Sequence, residues 1–117
     1  MQTFKDLKVW NKSIDLAVDL YKATMDLPQE EKYGLTSQMR RSGVSVPSNI
    51  AEGYGRYSDK ETVHFSKIAN GSLAELETQL IICERLGMIE QDKIDNLTNQ
   101  IEEVGRMLTS FIKSKEK

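Results

Sequence analysis

Glu61 and His64 stand three residues apart in Glu61-Thr62-Val63-His64. At that spacing a carboxylate and an imidazole on one helix face can share a metal ion. Carboxylate-bridged di-iron bundles need two such pairs and further inward glutamates, and His64 is the only histidine of the chain. Ser110-Phe111-Ile112-Lys113 spells Ser-x-x-Lys, but Phe111 belongs to an apolar seam and the companion motifs of serine β-lactamases are missing. Gly53-Tyr54-Gly55 is too short for a phosphate loop and follows no strand. Glu75 and Glu77, two apart, cannot face one another on a helix. No nucleophile, base and orienter come together. The chain therefore reads as non-enzymatic, with no catalytic residue, cofactor or metal site.

Polar groups in unusual places remain. Arg40, Arg41 and Arg56 are the only arginines of the first half, and they are expected to cluster around the stretch Gly43–Pro47 and the loop that follows it. One reading makes them a ridge for phosphate. The other ties them into a structural network with Glu52, Glu75 or Glu77. Asn49 and Glu52 lie a turn or less from the apolar Ile50, where an unpaired carboxylate is costly. Arg41 is the expected partner of Glu52 through two parallel hydrogen bonds. That leaves Arg40 and Arg56 as the phosphate candidates. Gly71-Ser72 interrupts an otherwise bulky helix, at a point where another backbone could approach.

The elements that position these groups are helical. Leu35, Met39, Gly43, Val46, Ile50 and Tyr54 step by three or four through a proline. Pro47 cannot donate to the carbonyl of Gly43, and an interior proline costs about 3 kcal/mol. Ser45, Ser48 and Asn49 are at hand to serve the freed backbone groups. The surviving apolar phase predicts a helix bent at Gly43–Pro47 rather than ended there. An expensive segment in an ordinary background marks a wanted geometry.

Before it, Leu7, Trp10, Ile14, Ala17, Val18, Tyr21 and Met25 outline a first helix closed by Asp26-Leu27-Pro28. Pro28 fits the first position of a second helix, with Glu30 and Glu31 at its positive end. After the loop Gly53–Tyr57, Ser58 and Glu61 read as a capping box. The third helix then carries Phe65, Ala69, Leu73, Leu76, Leu80, Cys83 and Leu86, and Gly87 ends it in a left-handed cap. Ile94, Leu97, Ile101, Val104, Leu108 and Phe111 form a heptad seam on a fourth helix. Residues 113–117 are a polar tail expected to fray. Short connections make this an all-α, up-down-up-down antiparallel four-helix bundle with a proline-bent second helix, one domain over residues 1–117. Ile81 and Ile82 widen the apolar arc of the third helix. Trp10, Tyr21, Tyr54 and Tyr57 add large amphipathic groups, so self-association is expected.

Composition narrows the function classes. Sixteen basic and eighteen acidic side chains give a formal net charge of −2. Dedicated nucleic-acid binders carry a basic excess, so contact with RNA or DNA has to come from a local patch or from repetition in an assembly. The first ten residues carry Lys5, Asp6 and Lys8 and no apolar core, unlike a secretory signal. The longest apolar run, Leu80 to Cys83, falls far short of the roughly 18 residues of a membrane span. The single cysteine, Cys83, sits among aliphatic neighbours and reads as a small buried hydrophobe. These features point to a soluble cytoplasmic protein.

Four stretches carry a resemblance: Phe4–Trp10, Gly34–Arg41, Ser45–Arg56 with its proline-centred motif, and Ile68–Glu77. Together they resemble the four-helix-bundle proteins named for intervening sequences in large-subunit rRNA genes, a family also labelled as a small-subunit ribosomal protein. The resemblance covers almost the whole chain. It implies a bundle that assembles as a ring-like homopentamer. It also implies kinship with the accessory variability determinant of diversity-generating retroelements, a basic pentamer that binds nucleic acid and a reverse transcriptase. The expected role is a non-enzymatic oligomeric scaffold or adaptor for RNA, DNA or a nucleic-acid enzyme. The alternative is a protein-interaction module without nucleic-acid contact. Pro47, Asn49, Glu52, Gly53 and Gly71 are its structural motif, and Arg40, Arg41 and Arg56 its nucleic-acid candidates.

Overall fold

The computed structural model describes residues 2–31 and 34–116. A short 3-10 turn, Phe4–Asp6, leads into α1 (Lys8–Ala23). A second 3-10 turn, Gln29–Glu31, precedes α2 (Leu35–Tyr54), and α3 (Asp59–Arg85) and α4 (Gln91–Lys115) follow. Each helix packs on the next, and α4 closes back onto α1. Four helices in that cyclic order, joined by short turns, make the up-down-up-down bundle. At 1.5 Å per residue α3 is about 40 Å long, close to the 44 Å long axis of the molecule. Leu16 and Leu20 of α1, Met39 and Ile50 of α2, Leu76 of α3 and Leu108 of α4 meet in the core, each almost fully buried. Cys83 is buried as well, its Sγ 3.8 Å from Met39 Sδ.

The helix ends follow their punctuation. Ser58 Oγ accepts from the Glu61 N–H at 3.3 Å, which starts α3. Only that half of the capping box forms. A complete box stands instead at Thr3 and Asp6, where the Thr3 N–H donates to Asp6 Oδ2 at 2.9 Å. Gly87 takes φ +67°. The Met88 N–H reaches back to the Cys83 carbonyl and the Gly87 N–H to that of Glu84, the paired bonds that close a helix through a left-handed residue.

Several expectations are corrected. α1 fully buries only Ala17 of the expected stripe, with Leu7 and Trp10 partly buried against the core. It buries Val9, Ser13, Leu16, Ala17 and Leu20, with Thr24 behind them, while Val18, Tyr21 and Met25 are exposed. Two hydroxyls disguised the true inner face. Ser13 Oγ donates to the Trp10 carbonyl at 2.7 Å and Thr24 Oγ1 to that of Leu20 at 2.8 Å. Each is thereby satisfied within its own helix and is buried without a stranded polar atom.

Pro28 opens only a single turn. α2 begins at Leu35 behind Gly34, which interrupts helical continuity and caps it without a side chain. The intervening Lys32 and Tyr33 of the expected second helix lie outside the described residues. Leu86, expected in the core, is 62% exposed. At the other end α4 stays helical to Lys115, where fraying was expected. The Lys115 ammonium lies 5.8 Å from the Phe111 ring centroid and 5.9 Å from that of Tyr54, and Glu116 pairs with Lys67 at 3.5 Å.

Candidate interaction face

α2 is continuous through Pro47, which is buried within it. Two glycines set its depth. A Cβ on Gly53 would lie 2.7 Å from Phe65 Cβ and 2.9 Å from the Glu61 carbonyl oxygen. A Cβ on Gly43 would lie 2.6 Å from Leu20 Cδ2. The absent side chains thus let α2 sink between α1 and α3. Hydroxyls stitch the seam. Thr62 Oγ1 donates to the Gly53 carbonyl at 3.3 Å, and Ser45 Oγ and Ser72 Oγ share a hydrogen bond of 2.9 Å. Asn49 Nδ2 donates to the Ser45 carbonyl at 2.8 Å and to Ser45 Oγ at 2.9 Å. Asn49 therefore braces Ser45 rather than the carbonyl of Gly43 that Pro47 leaves free. A Cβ on Gly71 would meet nothing within 4 Å. The expected close approach there is instead made by its neighbour Ser72.

The three arginines do not cluster. Arg40 points to the end of α1, where its Nε donates to Thr24 Oγ1 at 3.0 Å and an Nη donates to the Tyr21 carbonyl at 3.3 Å. Its guanidinium also lies 4.4 Å from the Tyr21 ring centroid. A cation bonded to the last carbonyls of a helix complements the negative end of its dipole. Arg56 sits about 24 Å further along, counting sixteen residues at helical rise. There it holds Glu52 at 2.7 Å and lies 4.9 Å from the Phe65 ring centroid. Arg41 and Glu52 share a face but are three turns, about 16 Å, apart, beyond side-chain reach, so the expected pair does not form. Arg41 is exposed and has no ion-pair partner among the described residues. Of the three, the one assigned to structure is free, and the two assigned to phosphate are engaged.

Depth has a consequence for the outside of α2. Val44, Ser48, Ala51 and Gly55 step by four, three and four along its outer side, a low and nearly uncharged stripe. Apolar strips flank it on both edges. On α1, Ile14, Val18 and Tyr21 share one line, Met25 is exposed in the turn beyond it, and the stacking of Arg40 on Tyr21 places that line on the α2 side. On α3, Phe65 and Ser72 contact α2. Ile68 and Ile82 lie one ridge further out, at 42% and 45% exposure, and Leu86 extends the line. Ile81, one residue before Ile82, falls about 100° away toward α4. Among the described residues, the exposed large apolar side chains lie on α1, α2, α3 and their loops, and α4 contributes none. Sequence periodicity assigned the α1 strip to the core. The outer stripe of α2 was missed altogether, although small residues at helical spacing were its visible signal.

One solved structure aligns over 90% of this chain and 98% of its own, with a TM-score of 0.80 and 27% identity. It is a protein of unknown function from the S23 ribosomal protein family of Bacteroides thetaiotaomicron. No curated protein matches. The model of the 23S rRNA-intervening sequence protein family matches residues 5–110, the span that holds the recessed α2, its two glycines and both flanking strips, and the chain belongs to that family.

Proposed function

We propose that this chain is a non-enzymatic scaffold that assembles with copies of itself through the α2 side of the bundle and works in the cytoplasm as an adaptor for a protein partner. The observation that carries the reading is the segregation of exposed apolar side chains onto the α1 and α3 strips beside α2. Exposed patches of this kind mark interaction surfaces. The two strips differ from one another and lie on opposite edges of the same helix. A head-to-tail ring needs two unlike complementary patches, and a homopentamer is the ring implied by the family resemblance. The same resemblance makes a nucleic-acid enzyme of the reverse-transcriptase type the partner class to try first. Direct contact with RNA or DNA is the weaker reading, since Arg40 and Arg56 are engaged within the bundle and Arg41 alone is left for phosphate.

The test exploits the asymmetry of the strips. The parent chain is expected to sediment as an oligomer at micromolar concentration. Val18→Asp on the α1 strip and Ile82→Asp on the α3 strip should each give a helical monomer of 13.3 kDa. Mixed together, the two variants retain one good strip each and should form a dimer. A monomeric parent rejects the assembly. A gel-shift titration across salt addresses nucleic acid, because each phosphate contact adds about 0.9 to the salt slope on duplex DNA. Binding by the parent that Arg41→Glu abolishes would restore that reading.

A further inference from the structure

On the side of the bundle away from α2, the start of α1 and the last third of α4 border an open groove of about 450 Å³, a volume within the range of small-molecule sites. Leu7, Val9, Met107 and Phe111 supply its apolar walls, and Lys8, Arg106 and Ser110 its polar groups. Both charged members are cations, and no carboxylate lines the groove. Neither cation has an ion-pair partner among the described residues. The nearby acids stand outside the lining: Asp6 accepts the Thr3 N–H at 2.9 Å, Glu103 pairs with Lys12 at 3.6 Å, and Glu102 lies beside Arg106 in the adjoining pocket.

The local field adds to this excess. α1 has no acidic residue in its first turn, and Leu7 offers no side-chain cap. Lys8 therefore sits at the positive end of the helix dipole, where a cation is unfavourable and an anion favoured. α3 and α4, by contrast, begin with Asp59 and Asp92 in the first turn. The wall is preformed, since Asn11 Nδ2 donates to the carbonyls of Lys5 and Leu7, each at 2.9 Å, and pins the corner that carries Leu7.

We propose that this groove binds a free aliphatic carboxylic acid, its chain against Leu7, Val9, Met107 and Phe111 and its carboxylate on Lys8 and Arg106. Apolar walls with two cations and no carboxylate in the lining are complementary to an apolar body with a single negative head. The inference is independent of the assembly proposed above, because the groove lies on the α1–α4 side and shares no residue with the α1 or α3 strip.

Isothermal titration of the intact chain with decanoate, decanol and decyltrimethylammonium, all below their micellar concentrations, tests it. Decanoate should saturate at one per chain. Decanol, which keeps the chain and loses the charge, should bind about tenfold more weakly or worse. The cationic homologue should not bind. Lys8→Gln with Arg106→Gln should weaken decanoate by a similar factor while leaving sedimentation and helicity unchanged, and Ser110→Trp should block the groove. Decanol binding as tightly as decanoate overturns the proposal, as does the absence of saturable decanoate binding. Both readings use only the parent chain and hold whether or not the variants fold. Undiminished decanoate affinity in a folded double glutamine variant likewise overturns it.

Discussion

α2 and α4 bury their inner faces in the same core with opposite materials. α4 does it with branched aliphatics in a regular seam, Ile94, Leu97, Ile101, Val104, Leu108 and Ile112, all buried. Eight of its 25 residues are charged, and they lie away from that seam. α2 has three charged residues in twenty. It reaches its neighbours by removing side chains at Gly43 and Gly53 and by placing the Ser45 hydroxyl against that of Ser72 on α3. The regular seam is self-sufficient, and its helix turns a solvated polar face outward. The recessed helix leaves a low, nearly uncharged exterior bordered by apolar strips. A helix that packs by subtraction thus completes the fold and leaves a surface that water does not favour, which is where a partner gains most.

One substitution, placed on both helices, gives the largest expected effect. Gly53→Ala puts a methyl group against Phe65 Cβ, the Glu61 carbonyl and Thr62 Cα, at 2.7, 2.9 and 3.2 Å. Two of these are backbone atoms that cannot move without parting α2 from α3. A loss of about 3 kcal/mol is expected, at the upper end of overpacking costs. Gly105→Ala on α4 meets only Leu73 Cδ2, at an ordinary 3.5 Å. There the gain in helix propensity should dominate, about 0.5–1 kcal/mol of added stability. Urea melts of the two variants should move in opposite directions. A shift of the same sign would mean that the two helices do not differ in how they pack.

The contrast also explains what the sequence disclosed. α4 was legible almost to the residue because its inner and outer faces differ in residue type. Only the last step failed, where Ile112 takes the buried place expected of Phe111. α3 was legible for the same reason, apart from Leu86. α1 was misread because Ser13 and Thr24, polar in sequence, are satisfied within the helix and buried, while Val18 and Tyr21 are apolar and exposed. Periodicity records residue type and cannot see a hydroxyl already bonded to its own turn. The arginines failed for a matter of length. Nearness in sequence suggested a cluster, whereas an unbroken run of helix separates Arg40, near the start of α2, from Arg56, just past its end. The glycines were the hardest. Gly43, Gly53 and Gly71 look alike in sequence, and only the third dimension tells that the first two are contact points and the last is open.

A middle-sized effect separates the two neighbouring arginines. Arg40 is half-buried and bonds the end of α1, so Arg40→Ala removes two charged hydrogen bonds and a ring contact together. About 1–2 kcal/mol of stability should go with it, and amide exchange should quicken at the last turn of α1 before it does elsewhere. Arg41→Ala, at the adjacent position, should change stability by less than about 0.5 kcal/mol. Equal losses would indicate that Arg41 has a structural partner after all.

The smallest effect concerns Glu52, whose place near Ile50 suggested a costly buried carboxylate. Its side chain is 51% exposed and its pairing with Arg56, 49% exposed, spans one helical turn. Water screens both charges, and each long side chain loses rotamer freedom to hold the pair. Such pairs contribute about 0.3–0.5 kcal/mol, against about 3–5 kcal/mol for breaking a buried one. Glu52→Gln keeps the size and one acceptor and removes the charge. The expected outcome is a loss of about 0.5 kcal/mol or less that vanishes at high salt, since screening already removes most of the attraction there. A loss several times larger, and indifferent to salt, would mean that Glu52 is enclosed when copies of the chain assemble. Repeating the melt on the monomeric Val18→Asp background separates the two cases, because enclosure by a second copy cannot act there.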